Sequence, residues 1–168
     1  KPYISYEDVE REFKEIFDSG ILTKGDYSRA FPEELKKYTG AKHAFLTTSA
    51  TTALSMCLKL LDIGHGDEVV VSDFSFPASA NVIEDVGATP VFADIDRDTL
   101  MATRSTIESL ITERTKLIIP VHFAGASAEI GPIRQLAQEK NINLVEDAAH
   151  AAGTEYMNEK IGRIGSAI

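Results

Sequence analysis

Leu144-Val145-Glu146-Asp147-Ala148-Ala149-His150, preceded by Asn141-Ile142-Asn143, reads as a short buried strand closing on an acid, two small residues and a histidine. Parallel strands of α/β sheets present ligand-binding residues at their carboxyl ends, and Asp147 stands where a carboxylate would enter that crevice. The other reading of Asp147 is an N-cap or turn aspartate. Just upstream, Ile130 to Lys140 patterns as a helix, and Lys116-Leu117-Ile118-Ile119-Pro120-Val121 is the most apolar strand of the chain. His122-Phe123-Ala124-Gly125 follows that strand. A lone histidine there reads as structural, with a site role as the alternative.

Further upstream the same alternation repeats. Lys42 to Thr47 reads as a strand, and Thr48-Ser49-Ala50-Thr51-Thr52 turns directly into a helix through Leu61. Hydroxyl residues at a helix N-terminus suit either simple capping by Thr48 or Ser49 or the binding of an anion such as phosphate. Glu68 to Ser72 is the next strand, and Asp73-Phe74-Ser75-Phe76-Pro77 leads into a helix from about Ala78 to Val86. Phe74 and Phe76 could offer a face for a planar ring; for Phe74 a core position is the preferred reading. Pro90 to Asp94 is a short strand, and Thr103 caps a helix to Ile111. At the start of the chain, Ser5 to Asp18 reads as a helix with a Ser5/Asp8 capping box, and Tyr27 to Tyr38 as a second. Gly153–Tyr156 and Lys160–Gly162 read as a small hairpin-like extension.

Five strands alternating with helices give an α/β fold with a mostly parallel sheet and flanking helices. Its carboxyl ends collect Ser49, Phe76, His122, Asp147 and His150. A phosphate-ready helix start, an aromatic plate and a buried acid together suit a flat, phosphorylated heterocycle.

Composition bounds the function. With 168 residues, 43% hydrophobic and 26% charged, the chain is long enough for one globular core. A net charge of −9 argues against a nucleic-acid or anionic-membrane surface. The single cysteine, Cys57, excludes an internal disulfide and fits a reducing compartment; beside Met56 and Leu58 it reads as packing. No apolar run is long enough to span a membrane. Neither a Walker loop nor a dinucleotide glycine fingerprint is present, and no metal-ligand cluster is assigned.

These residues resemble the pyridoxal-phosphate-dependent nucleotide-sugar aminotransferases, the DegT/DnrJ/EryC1/StrS family. The likeness runs in order through Ser19-Gly20-Ile21-Leu22-Thr23-Lys24-Gly25, Thr48-Ser49-Ala50-Thr51-Thr52-Ala53-Leu54, Gly66-Asp67-Glu68-Val69-Val70 and Phe74-Ser75-Phe76. It continues through Asp94-Ile95-Asp96, Pro120 to Gly125, and Glu146 to Ala151. Within the family the chain looks most like the branch forming UDP-4-amino-4-deoxy-L-arabinose from a 4-keto sugar nucleotide. The resemblance implies the large domain of a fold type I transferase, with Ser49, Ala50 and Thr51 around the cofactor phosphate. Phe76 would stack on the pyridine ring, Asp147 would pair with its nitrogen, and His150 would lie near its hydroxyl. Glutamate and a keto sugar nucleotide would be the substrates, and the protein would be a cytoplasmic homodimer with a shared site near Thr23-Lys24-Gly25.

In relatives the Schiff-base lysine lies just past the equivalent of Ile168, so no catalytic residue is assigned within the chain. Lys160 matches a surface-hairpin position and is not promoted to the role. Residues 1–168 are therefore expected to be the N-terminal part of the large domain, without the C-terminal small domain, and inactive alone. Two alternatives stay open within the resemblance: a non-catalytic relative that binds cofactor, and a lysine-less relative serving sugar dehydration. An unrelated α/β nucleotide module has little support without a glycine fingerprint.

Overall fold

The computed structural model describes residues 3–163 and 165. Ser166 to Ile168, after which the resemblance puts the lysine segment, lie outside the described residues. Four strands, β1 (Glu68–Ser72), β2 (Thr89–Ala93), β3 (Thr115–Ile119) and β4 (Asn143–Leu144), form one sheet in the order β2-β1-β3-β4. Every pairing is parallel. Among the described residues six α-helices accompany it: α1 (Glu10–Ser19), α2 (Asp26–Thr39), α3 (Ala50–Leu60), α4 (Ala78–Asp85), α5 (Arg104–Glu108) and α6 (Ile130–Lys140). A hairpin of β5 (Glu155–Tyr156) and β6 (Glu159–Lys160) follows, turning through Met157 and Asn158, both at positive φ.

The apolar runs explain the layering. Strands covered by helices on both faces need no polar alternation. On one face Val69, Val71, Leu117 and Ile119 pack with Leu54 and Leu58 of α3 and Val82 and Ile83 of α4. On the other, Val70 and Ile118 pack with Ile107 of α5 and Ile130, Ile133 and Leu136 of α6. Gly20 and Gly40 close α1 and α2 in the left-handed conformation, at φ 67° and 79°.

Three expectations are corrected. Residues 42–47 form no strand, so among the described residues the sheet has four strands and not five. A strand exists through its ladder, and none of the described strands pairs with this segment; Phe45 is left exposed. The first helix starts at Glu10, not Ser5: Asp8 Oδ2 does accept from the Ser5 N–H at 2.8 Å, but Val9 is the N-cap and has no side-chain bond. The Thr103 cap is present with its reciprocal Thr106 bond, yet α5 ends at Glu108 rather than Ile111.

The strand 142–146 is formally only Asn143–Leu144, but its ladder runs on. Val145 N–H donates to Ile118 O at 3.1 Å, Asp147 N–H to Pro120 O at 2.9 Å, and His122 N–H to Asp147 O at 2.9 Å. These bonds carry Asp147 to the carboxyl edge of the sheet beside Val121.

Candidate active site

At that edge an open cleft of about 230 Å³ is lined by Ala50 and Thr51 of α3, Ser75, Phe76 and Ser79 around the start of α4, Val121, His122, Phe123, Asp147 and His150. Sequence reasoning brought Ala50, Thr51, Phe76, Asp147 and His150 to one place, and the fold does the same. Ser49 stands just outside the lining. Its Oγ accepts from the Thr52 N–H at 3.1 Å, so the hydroxyl caps α3. The amides of Ala50 and Thr51, at the first two helical positions, precede the intrahelical ladder and carry the positive end of the helix dipole.

Asp147 is 6% exposed. Its Oδ2 accepts from Ser79 Oγ at 2.8 Å and its Oδ1 from the Ala149 N–H at 3.2 Å. The Ala149 bond makes it a turn aspartate, as the alternative reading had it, but a buried one that also lines the cleft: Oδ2 is held by Ser79 and the backbone is tied into the ladder. Phe76 presents an open face at 73% exposure, while Phe74, 41% exposed, is not core as expected but packs on Phe123 with centroids 4.6 Å apart. His150 is exposed and meets the Phe123 ring edge-on at 6.0 Å.

His122 is fully buried, and its partners give it a structural task. Its Nδ1 accepts the Ala128 N–H at 3.1 Å, so the ring proton sits on Nε2 and is donated to Glu146 Oε2 at 3.1 Å. Glu146 Oε1 accepts from Arg134 Nη2 at 3.0 Å. Glu146 and Ser79 were missed from sequence. The signal for Glu146 was a charge inside an apolar run; Ser79 gave none, since its partner is 68 residues away.

No lysine lines the cleft among the described residues. Lys160 lies in the hairpin, with Nζ 4.3 Å above the Tyr38 ring and 3.3 Å from Glu155. Burial opposes its charge, but hydrogen bonds to Glu155 and Tyr38 outweigh this and hold its pKa above the ordinary value. A lysine kept protonated is a poor nucleophile, as expected for Lys160. On α3, Cys57 packs against the core, and burial pushes its thiol pKa up. No helix among the described residues is long and apolar enough to cross a membrane.

The donor set fits a planar, phosphorylated, ring-nitrogen ligand: free helix amides for an anion, an aromatic face for a ring, and a buried acceptor for an N–H. Known proteins agree. The model of the DegT/DnrJ/EryC1/StrS aminotransferase family matches residues 4–168. Among solved structures, 3-amino-5-hydroxybenzoic acid synthase is similar over 99% of this chain and 44% of its own, at 31% identity and TM-score 0.93. DesV from S. venezuelae is similar over 96% of this chain and 44% of its own, at 34% identity and TM-score 0.90. A Streptococcus pneumoniae protein assigned as a sugar aminotransferase, in its PLP form, is similar over 98% of this chain and 45% of its own, at 35% identity and TM-score 0.91. Its PMP form matches as well. The chain thus spans under half the length of these relatives.

Proposed function

Because the chain belongs to the DegT/DnrJ/EryC1/StrS aminotransferase family, we propose that it is the cofactor-binding part of an enzyme moving an amino group from glutamate to a keto sugar nucleotide, in cell-surface or secondary-metabolite sugar synthesis. The cofactor is pyridoxal 5′-phosphate. When bound, it supplies a ring that carries the amino group and takes up the electrons of a broken C–H bond. The observation that carries the reading is Asp147: a carboxylate buried at the carboxyl edge of a parallel sheet, in one cleft with a helix N-terminus and an open aromatic face.

On this reading Asp147 accepts the ring N–H and keeps the nitrogen protonated. The Ala50 and Thr51 amides and the Thr51 hydroxyl hold the phosphate, with Ser49 ordering that turn through its cap. Phe76 covers one ring face, and His150 lies toward the ring hydroxyl. Assembly as a homodimer is supported by α1 and α2, which bury no residue fully and leave Phe13, Phe17 and Phe31 exposed; a cytoplasmic location belongs to the same proposal.

The test is amination by the full-length protein, given pyridoxal phosphate, glutamate and a panel of keto sugar nucleotides, with the amino sugar read by mass spectrometry. Asp147→Asn is expected to lower the rate on the order of a hundredfold or more. No amino sugar from wild type, or an unchanged rate in Asp147→Asn, overturns the proposal.

A further inference from the structure

We propose that Ser79, backed by Ser75, is the positioning residue that aims the Asp147 carboxylate at the ring nitrogen; this rests on the cofactor reading above. The backbone at Asp147 is already fixed, by the bonds to Pro120 and His122. What remains free is the carboxylate torsion, which in aspartate is a broad, two-fold well and does not set an orientation by itself. Ser79 supplies the constraint. It is 1% exposed, it is the second residue of α4, and its Oγ lies 2.8 Å from Asp147 Oδ2.

The direction of the chain of bonds is forced. A carboxylate only accepts, so the single Ser79 proton goes to Asp147. Ser75 Oγ, 2.8 Å from Ser79 Oγ, then has one role left: it donates to the Ser79 oxygen. The order is Ser75 to Ser79 to Asp147, and each donated bond polarises the next. With Ala149 N–H on Oδ1, the carboxylate is held from α4 on one oxygen and from its own turn on the other, and each oxygen keeps a lone pair for the ring. The turn that carries Ser75 also carries Phe76, so one segment orders both the ring's stacking face and its nitrogen partner.

The test uses the full-length protein and two ligands: pyridoxamine phosphate, and its carba analogue in which C–H replaces the ring nitrogen. Affinities are measured by fluorescence titration for wild type, Ser79→Ala, Ser79→Thr and Ser75→Ala. Ser79→Ala is expected to weaken pyridoxamine phosphate by roughly tenfold, the value of one charge-assisted hydrogen bond, and to leave the carba analogue unchanged. Ser79→Thr restores the native affinity, and Ser75→Ala shows a smaller loss with the same selectivity. Equal losses on both ligands would mean a merely structural serine and overturn the inference, as would no loss on either. Should Ser79→Ala fail to fold, Ser75→Ala decides by the same selectivity. A wild type that binds the two ligands equally would instead sink the pairing of Asp147 with a ring nitrogen, and the inference with it.

Discussion

Glu146→Gln keeps the shape of the side chain and removes its charge and its ability to accept twice. That makes it a clean probe of the wall behind Asp147. Glu146 is 1% exposed, and both of its partners are donors: the His122 Nε2–H at 3.1 Å and Arg134 Nη2 at 3.0 Å. His122 cannot change its tautomer to help, because Nδ1 is held as an acceptor by the Ala128 N–H. A glutamine therefore always sets its NH2 against a donor. One buried donor left unpaired costs about 1–3 kcal/mol. Arg134 is a quarter exposed, so the lost charge pairing is screened and adds only about 1 kcal/mol. The expected loss is about 2–4 kcal/mol, with no cavity contribution because the volume is unchanged. Urea unfolding of both proteins, each free of cofactor so that ligand binding does not shift the comparison, measures it. A loss under about 0.5 kcal/mol, within the range of ordinary surface substitutions, would refute the reasoning. Coupling is checked by adding His122→Phe: the two losses should fall short of their sum, since either change alone breaks the same bond.

Phe76→Ala is expected to leave stability nearly unchanged, because the ring is 73% exposed, while weakening pyridoxal phosphate by roughly three- to tenfold through the lost stacking face. Unchanged affinity in a fluorescence titration would place the ring elsewhere. Tyr27 links α2 to α1 by donating to Glu15 Oε2 at 2.6 Å, and that bond, with burial and the carboxylate's charge, pushes the phenol up to about 12. Since the folded value is raised, the bond contributes fully below the ordinary phenol pKa of about 10 and is lost as pH climbs through about 12. Difference absorbance titration against Tyr27→Phe should show this late transition, and Glu15→Gln should return it toward the ordinary value; a normal titration in wild type would contradict the contact.

Local signals carried the fold where one residue's environment was set by its own segment. Glu68 to Ser72 was legible because an unbroken apolar run needs cover on both faces, and the helix Ile130–Lys140 because its stripe and its Asn141 stop are local. Residues 42–47 show the limit: the composition suits a strand, but a strand is completed by neighbours, and sequence does not say whether they are there. The site divides in the same way. Asp147 was legible from its place at a strand's end. The bonds that hold it and its wall span 68 residues for Ser79 and 24 for His122–Glu146, and only the folded chain brings those partners together.

Glu146 and Asp147 show how one strand serves two purposes. Successive side chains on a strand point to opposite faces. Glu146 turns toward α6 and binds Arg134 and His122; Asp147 turns toward α4 and binds Ser79. The first ties the sheet's edge to the helix layer; the second faces the cleft. A slip of one residue against β3 would exchange them, aiming the glutamate at the cleft and burying the aspartate against Arg134. The bonds from Val145 to Ile118 and from Asp147 to Pro120 oppose that slip, and so does the Glu146 network, whose two donors fit only a side chain on that face. Replacing Glu146 is therefore expected to loosen the aspartate's position as well as the fold. A Glu146→Gln protein that is destabilised yet binds pyridoxamine phosphate as tightly as wild type would separate the two effects and show that the ladder alone sets the register.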